Sequence, residues 1–242
     1  MIWLLLHGTP LSPQVWDGVR EHLRDDVRVP DLNALIERVP SGQLHTELAA
    51  AVLSELRAPT APHVRTAPLV VVGHSFGGQV ALEVALMAPA RVARLVVVCS
   101  RHTPFPAFAD GARTVREGRP VDIDDGLRRW FTADDLTNHS PVVDYVRDQL
   151  QTAARGPWAA SLDAIATYDR SADVGRIGTP TALFAAAHDE VATPAVNTEL
   201  ASALPHARLS VIAEWAHMSP FVDPAAFAAR LSTAVQPLPS TP

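Results

Sequence analysis

The chain has 242 residues, 48% of them apolar, with 26 acidic against 20 basic side chains and one cysteine. That is enough apolar material for a sizeable core and too much for a disordered chain, while a net charge of −6 without a Lys/Arg stripe excludes a nucleic-acid partner. Cys99 alone cannot form an intrachain disulfide, and the apolar run 1–6 breaks at His7-Gly8-Thr9-Pro10, too short for a signal-peptide core or a bilayer span; a cytoplasmic protein with no membrane partner is expected.

Taken along the chain, short runs rich in Leu and Val occur at 2–6, 27–29, 69–72, 95–98, 182–185 and 209–212. They show little alternation of polarity, which is how strands read when helices cover both faces of a parallel sheet. Helical patterns fall between them. Residues 12–23 open on Ser-Pro, a cap followed by proline at the first helical position. Residues 43–56 carry an apolar stripe at 44, 48, 49, 52, 53 and 56. The stretch 76–87 follows a strand directly, and 194–204 and 224–235 complete the set. The order predicts an α/β fold with a mostly parallel, doubly wound sheet of about six strands. Residues 105–177 interrupt the alternation with helical patterns, including 142–153 and 158–168, and no good strand. They are read as a helical cap inserted into a core of 1–104 and 178–235, over the carboxyl edge of the sheet, where such lids shape pockets and exclude water. The proline-rich tail, 236–242, is expected to be disordered.

The chemistry concentrates at the ends of these strands. Leu69-Val-Val-Val runs into Gly73-His74-Ser75-Phe76-Gly77-Gly78, a strand entering G-x-S-x-G with a helix immediately after. This is the nucleophile elbow: Ser75 sits on a tight turn, and Gly73 and Gly77 lack the β-carbon that would strike neighbouring backbone. Gly78 lets the helix pack closely, and the helix dipole faces a developing oxyanion. The loop after the first strand, His7-Gly8-Thr9-Pro10, is expected to supply one oxyanion amide from Thr9, with the other from Phe76; His7 is read as structural, holding the loop by hydrogen bonds. A serine needs a base. In the chain order Ser, acid, His, the base should follow the last strand, which selects His217. His206 precedes that strand, His74 is expected to point away along the elbow, and His102, His139 and His188 are less well placed. Asp189, closer to its strand end than Glu190, is the expected acid. No metal-ligand spacing and no G-x-G-x-x-G after the first strand is present, so no cofactor and no metal are expected. Cys99 reads as a small buried apolar residue.

His7-Gly8, Gly73 to Gly78, Asp189 and His217 together resemble the α/β-hydrolase superfamily in order and spacing. Gly111-Ala-Arg-Thr-Val-Arg-Glu-Gly118, Arg129-Trp130-Phe131-Thr132 and Ala164-Ile-Ala-Thr-Tyr-Asp169 resemble the cap of the 3-oxoadipate enol-lactonase group. The resemblance implies a serine hydrolase. Members with dehalogenase or epoxide-hydrolase chemistry carry Asp where this chain has Ser75, and members that place the acid one strand earlier would need a carboxylate in Cys99-Ser100-Arg101-His102-Thr103, which has none. The sequence opens on the His-Gly strand, so the family's usual first two strands are expected to be lacking, as in plant methylesterases and hydroxynitrile lyases of the same fold.

The expected function is two-step hydrolysis of a small organic ester or lactone through an acyl-enzyme on Ser75, by a monomer or homodimer. Trp130, Phe131, Trp158 and Phe105 are the expected substrate-binding aromatics, although most cap aromatics, Phe108 and Tyr168 included, should belong to the cap core. Arg101 and Arg129 are either partners for a substrate carboxylate or ordinary surface arginines. Acyl transfer, carbon–carbon bond hydrolysis or a lyase reaction on the same triad remain alternatives, as does a non-catalytic ligand-binding role.

Overall fold

The computed structural model describes residues 1–24, 26–40, 42–56, 66–138 and 140–236. Six strands form one sheet: β1 (Ile2–Leu6), β2 (Asp26–Arg28), β3 (Leu69–His74), β4 (Val92–Val98), β5 (Thr181–Ala186) and β6 (Ala207–Ile212). Their order is β2-β1-β3-β4-β5-β6 and every pair is parallel. The unbroken apolar runs are explained by burial on both faces. Ile2, Leu4 and Leu6 of β1, with Leu69 and Val71 of β3, enter one core; Trp3 and Leu5, with Val70 and Val72, enter the other.

Helices α3 (Leu44–Glu55) and α4 (Phe76–Met87) cover the first face, together with α10 (Pro194–Ala203). The short α1 (Asp17–Arg20) and α11 (Pro224–Ala234) cover the second, through Val19, Phe227 and Leu231. The chain leaves β1 toward β2 and then returns to place β3 on the opposite side of β1. The loops leaving β1 and β3 therefore part at a topological switch point, where open α/β sheets bind ligands.

Between β4 and β5 lie α5 (Phe108–Arg116), α6 (Ile123–Trp130), α7 (Ala133–Thr137), α8 (Pro141–Thr152) and α9 (Arg155–Thr167). No strand occurs among the described residues of this segment. It contributes Ala112, Val115, Leu127, Val146 and Trp158 to the second core and Ile165 and Tyr168 to the first. On the first face it is also tied by charge. The carboxylate of Glu83, on α4 and nearly inaccessible, accepts from Arg170 Nε at 2.6 Å, Tyr168 Oη at 3.0 Å and Thr46 Oγ1 at 3.1 Å.

Two local expectations need correction. The helix expected over 12–23 is a 3-10 turn, Pro13–Trp16, followed by the four-residue α1. Ser12 does not cap it, because its hydroxyl donates to Gln14 Oε1 and meets Tyr145 Oη of α8, which also accepts its amide. The second strand begins one residue earlier than its apolar run, and an unexpected helix, α2 (Leu32–Ile36), follows it, capped by Asp31 Oδ1 on the amides of Asn33 and Ala34. Of the tail expected to be disordered, 237–242 lies outside the described residues, as does His139. Among the described residues, no helix is long and apolar enough to cross a membrane.

Candidate active site

Strand β3 enters its last residue extended, and Ser75 then adopts φ 55 and ψ −122. A non-glycine residue held there stores about 1–3 kcal/mol of strain, so its neighbours must enforce it. They do so by bonding both of its backbone groups. The Ser75 amide donates to Val98 O at 3.0 Å; its carbonyl accepts from Gly78 N at 2.9 Å and Ser100 Oγ at 2.6 Å. A β-carbon at Gly73 would fall on the Gly77 carbonyl, and one at Gly77 on the carbonyls of Leu6 and His7. A serine at a helix N-cap ordinarily turns its hydroxyl onto the helix amides. Ser75 precedes α4 and makes no such bond; its Oγ lies 3.0 Å from His217 Nε2.

His217 comes from the loop after β6. Its Nδ1 lies 2.7 Å from Asp189 Oδ2, in the loop after β5. Asp189 Oδ1 accepts the amides of Val191 and Ala192, each at 2.9 Å. Burial resists ionisation of Asp189, but the charge and hydrogen bond of His217 and the two amides outweigh it and hold the carboxyl below its usual range. An ionised Asp189 makes His217 Nδ1 the donor and leaves Nε2 as acceptor for the Ser75 hydroxyl. Glu190 is exposed, and so is His188; His206 sits at the start of β6, the opposite end of the sheet.

The structure corrects the expectation for His74. Its ring does not point away but lies against that of His217, at 4.9 Å, and edge-on to Phe221. Its Nε2–H donates to the His217 carbonyl at 2.9 Å, which pins the His217 backbone. Complete burial, reinforced by the neighbouring His217, pushes its pKa down to about 3. A neutral His74 keeps that donor without adding charge under an imidazolium. His74, Cys99 and His217 bring one potential ligand atom each within 4.8 Å. Both nitrogens of His217 are already engaged and burial, then Asp189, raises the Cys99 thiol well above its ordinary value, so His74 and Cys99 serve as the footing of the His217 ring.

The opposite wall is the loop leaving β1. His7 Nδ1–H donates to Gly8 O at 2.9 Å and Nε2 accepts Leu32 N at 3.0 Å, so His7 is spent on holding this loop. Thr9 is buried beside it, and no described hydrogen bond consumes the amide of Thr9 or of Phe76. The Phe76 ring packs against buried His45, at 4.9 Å.

Helices 105–177 reach both walls. The Trp130 carbonyl accepts Met218 N at 2.8 Å, and its half-buried ring stands 5.9 Å from that of His217. Ser219 Oγ accepts Ala216 N at 2.9 Å and donates to Asp135 Oδ2 at 2.7 Å, bracing the same loop. Phe131 and Trp158 are buried in the second core. Phe105 stacks edge-on with Phe108 beneath Arg101. Arg101 donates to the carbonyls of Thr103 and Val191, which fastens the Asp189 loop, and Arg129 pairs with Asp125 at 2.6 Å on the surface. Neither arginine faces Ser75 as a free cation. A cavity of about 580 Å³ flanks Asp189 on its outer side, along Thr132, His188 and Thr193. Another, of about 900 Å³, opens between α3 and α9 along His45, Thr46 and Arg170, and includes none of Ser75, His217 or Asp189.

A doubly wound parallel sheet with a strained serine at its switch point, hydrogen-bonded to a histidine that is itself hydrogen-bonded to an aspartate, both from later loops, defines the α/β-hydrolase class. The sequence agrees: residues 3–230 match the alpha/beta hydrolase family, and the chain belongs to it. Among its relatives is the pimeloyl-[acyl-carrier protein] methyl ester esterase of Nitrosomonas europaea, 26% identical over 232 residues that cover 91% of this chain and 89% of that one. 3-Oxoadipate enol-lactonase 2 of Acinetobacter baylyi is 27% identical over 168 residues, 68% of this chain and 62% of that one. The enol-lactonase from Burkholderia xenovorans shares the fold, with a TM-score of 0.80 at 23% identity over 96% of this chain and 90% of that structure.

Proposed function

We propose that the protein is a serine hydrolase of small carboxylic esters or lactones, with Ser75 as nucleophile, His217 as general base and Asp189 as the acid that orients it. The observation that carries this reading is the relay itself, Ser75 Oγ to His217 Nε2 at 3.0 Å and His217 Nδ1 to Asp189 at 2.7 Å. His217 takes the Ser75 proton as Oγ attacks the carbonyl. The amides of Thr9 and Phe76 receive the oxyanion, each donor contributing about 3 kcal/mol to the transition state. His217 then protonates the leaving oxygen, activates water against the acyl-enzyme and restores Ser75.

Residues 105–177 act as the cap of this site, and Trp130, beside the base, borders the substrate. The names of the relatives, esterase and enol-lactonase, support an oxygen ester or a lactone as the bond cleaved. A reducing, cytoplasmic setting suits a chain whose one cysteine is buried. The test is hydrolysis of a panel of p-nitrophenyl esters and five- and six-membered lactones by the parent and Ser75→Ala. Turnover by the parent alone is expected, and its rank order separates esterase from lactonase. Equal turnover by Ser75→Ala overturns the assignment.

A further inference from the structure

Resting on the reading just given, we infer that the helical segment 105–177 holds the oxyanion hole in place, with Ser161 as the positioning residue for Thr9.

Thr9 Oγ1 lies 2.5 Å from Ser161 Oγ on α9, a contact between side chains 152 positions apart. The direction of the bond follows from its neighbour. The Ser161 hydroxyl proton is committed to the Trp158 carbonyl at 2.8 Å, so Ser161 accepts and Thr9 donates. Both side chains are buried, Ser161 completely. Water therefore does not compete for the bond, and a lost partner leaves a buried hydroxyl unsatisfied.

A second contact acts three residues further along the same loop. Tyr145 Oη on α8 accepts Ser12 N at 2.9 Å and lies 3.2 Å from Ser12 O. From the sheet side, the loop is held by the His7 bond to Leu32 and by Asn33 Nδ2 donating to Leu11 O at 2.8 Å. The core thus fixes residues 7 and 11, and the helical segment fixes residues 9 and 12. The residue whose amide meets the oxyanion is one that the helices hold. An oxyanion donor works only when its N–H is aimed where charge develops, so a fraction of an ångström at Thr9 acts on turnover more than on ground-state binding.

The test compares the parent with Ser161→Ala, Ser161→Cys and Tyr145→Phe. It measures kcat and KM on the best p-nitrophenyl ester, the inhibition constant of phenylboronic acid, whose tetrahedral adduct on Ser75 mimics the oxyanion, and Tm. Ser161→Ala should lower kcat and weaken boronate inhibition by about tenfold each, with KM within twofold, and Ser161→Cys should recover part of both. Tyr145→Phe, at a partly exposed and replaceable hydroxyl, should lower kcat about threefold and decides alone if Ser161→Ala does not fold. Unchanged kcat and boronate affinity in the folded variants overturn the inference while inactive Ser75→Ala leaves the serine mechanism standing. Turnover by Ser75→Ala overturns both.

Discussion

Replacing His45 and His74 together by glutamine should flatten the loss of stability that the parent suffers between pH 8 and pH 5. Both rings are buried, and burial above all lowers each pKa to about 3. In the unfolded chain both titrate near 6.5. Between those values the unfolded state binds protons that the native state refuses. The contribution is therefore intact above pH 6.5 and is lost as pH falls toward 3. At pH 5 the rings remain neutral in the fold, so the loss is set by 1.5 units at 1.36 kcal/mol each, about 2 kcal/mol per histidine and about 4 for the pair. That is a large part of an ordinary folding free energy of about 5–15 kcal/mol.

Urea unfolding of parent and double variant at pH 8 and pH 5, at one ionic strength, reads this directly. Each protein is compared with itself, so whatever the substitutions cost at pH 8 cancels. The parent should lose about 4 kcal/mol more than the variant. Equal losses would refute the claim that these two rings are held neutral by the fold. Function should follow stability here, because His74 carries the His217 carbonyl and His45 supports the Phe76 ring.

Asp189→Asn should lower kcat by about 10⁴-fold with little change in fold, since an amide no longer selects the tautomer that leaves Nε2 free; steady-state kinetics with circular dichroism check both halves. Arg170→Met strands the nearly inaccessible Glu83 carboxylate and should cost about 3 kcal/mol in urea unfolding, most of it recovered in Glu83→Gln/Arg170→Met. Gly77→Ala places a β-carbon on the Leu6 and His7 carbonyls and should yield little soluble protein, whereas Gly156→Ala, with open space at its β-carbon, should express normally.

What the sequence disclosed and what it withheld divide on physical grounds. Central strands such as β3 are buried on both faces, so they read as unbroken Val and Leu, and the elbow is a backbone device written in six consecutive residues, Gly73 to Gly78. Nearness to the strand end pointed to Asp189 rather than Glu190, and position after the last strand to His217 rather than His206; the structure brings Asp189 and His217 within 2.7 Å of each other. The edge strand β2 was displaced by one residue because it spans only Asp26–Arg28 and pairs only with β1. The first helix differs from its expectation because Ser-Pro is a local signal, whereas the Ser12 amide is taken by Tyr145, 133 positions away, and its hydroxyl by Gln14 and Tyr145. His74 and Ser161 gave no usable signal at all. Each acts on a group more than 140 residues distant, and a histidine in the elbow or a serine in an apolar helix has no pattern that names its partner.

Those long-range contacts change what residues 105–177 mean for specificity. A lid that only encloses substrate could be exchanged for another of similar shape. Here the Trp130 carbonyl and the Asp135 carboxylate brace the His217 loop, and Ser161 and Tyr145 hold the loop of Thr9. Each such bond contributes about 1 kcal/mol, which is small beside the several kcal/mol that a correctly placed base and oxyanion amide supply to catalysis. Their value lies in position. Exchanging the segment would move both loops even when Ser75, Asp189 and His217 are kept. Substitutions on the face that the proposed function turns toward substrate, with residues 130, 135, 145 and 161 retained, are the changes that should alter substrate choice without altering the chemical step.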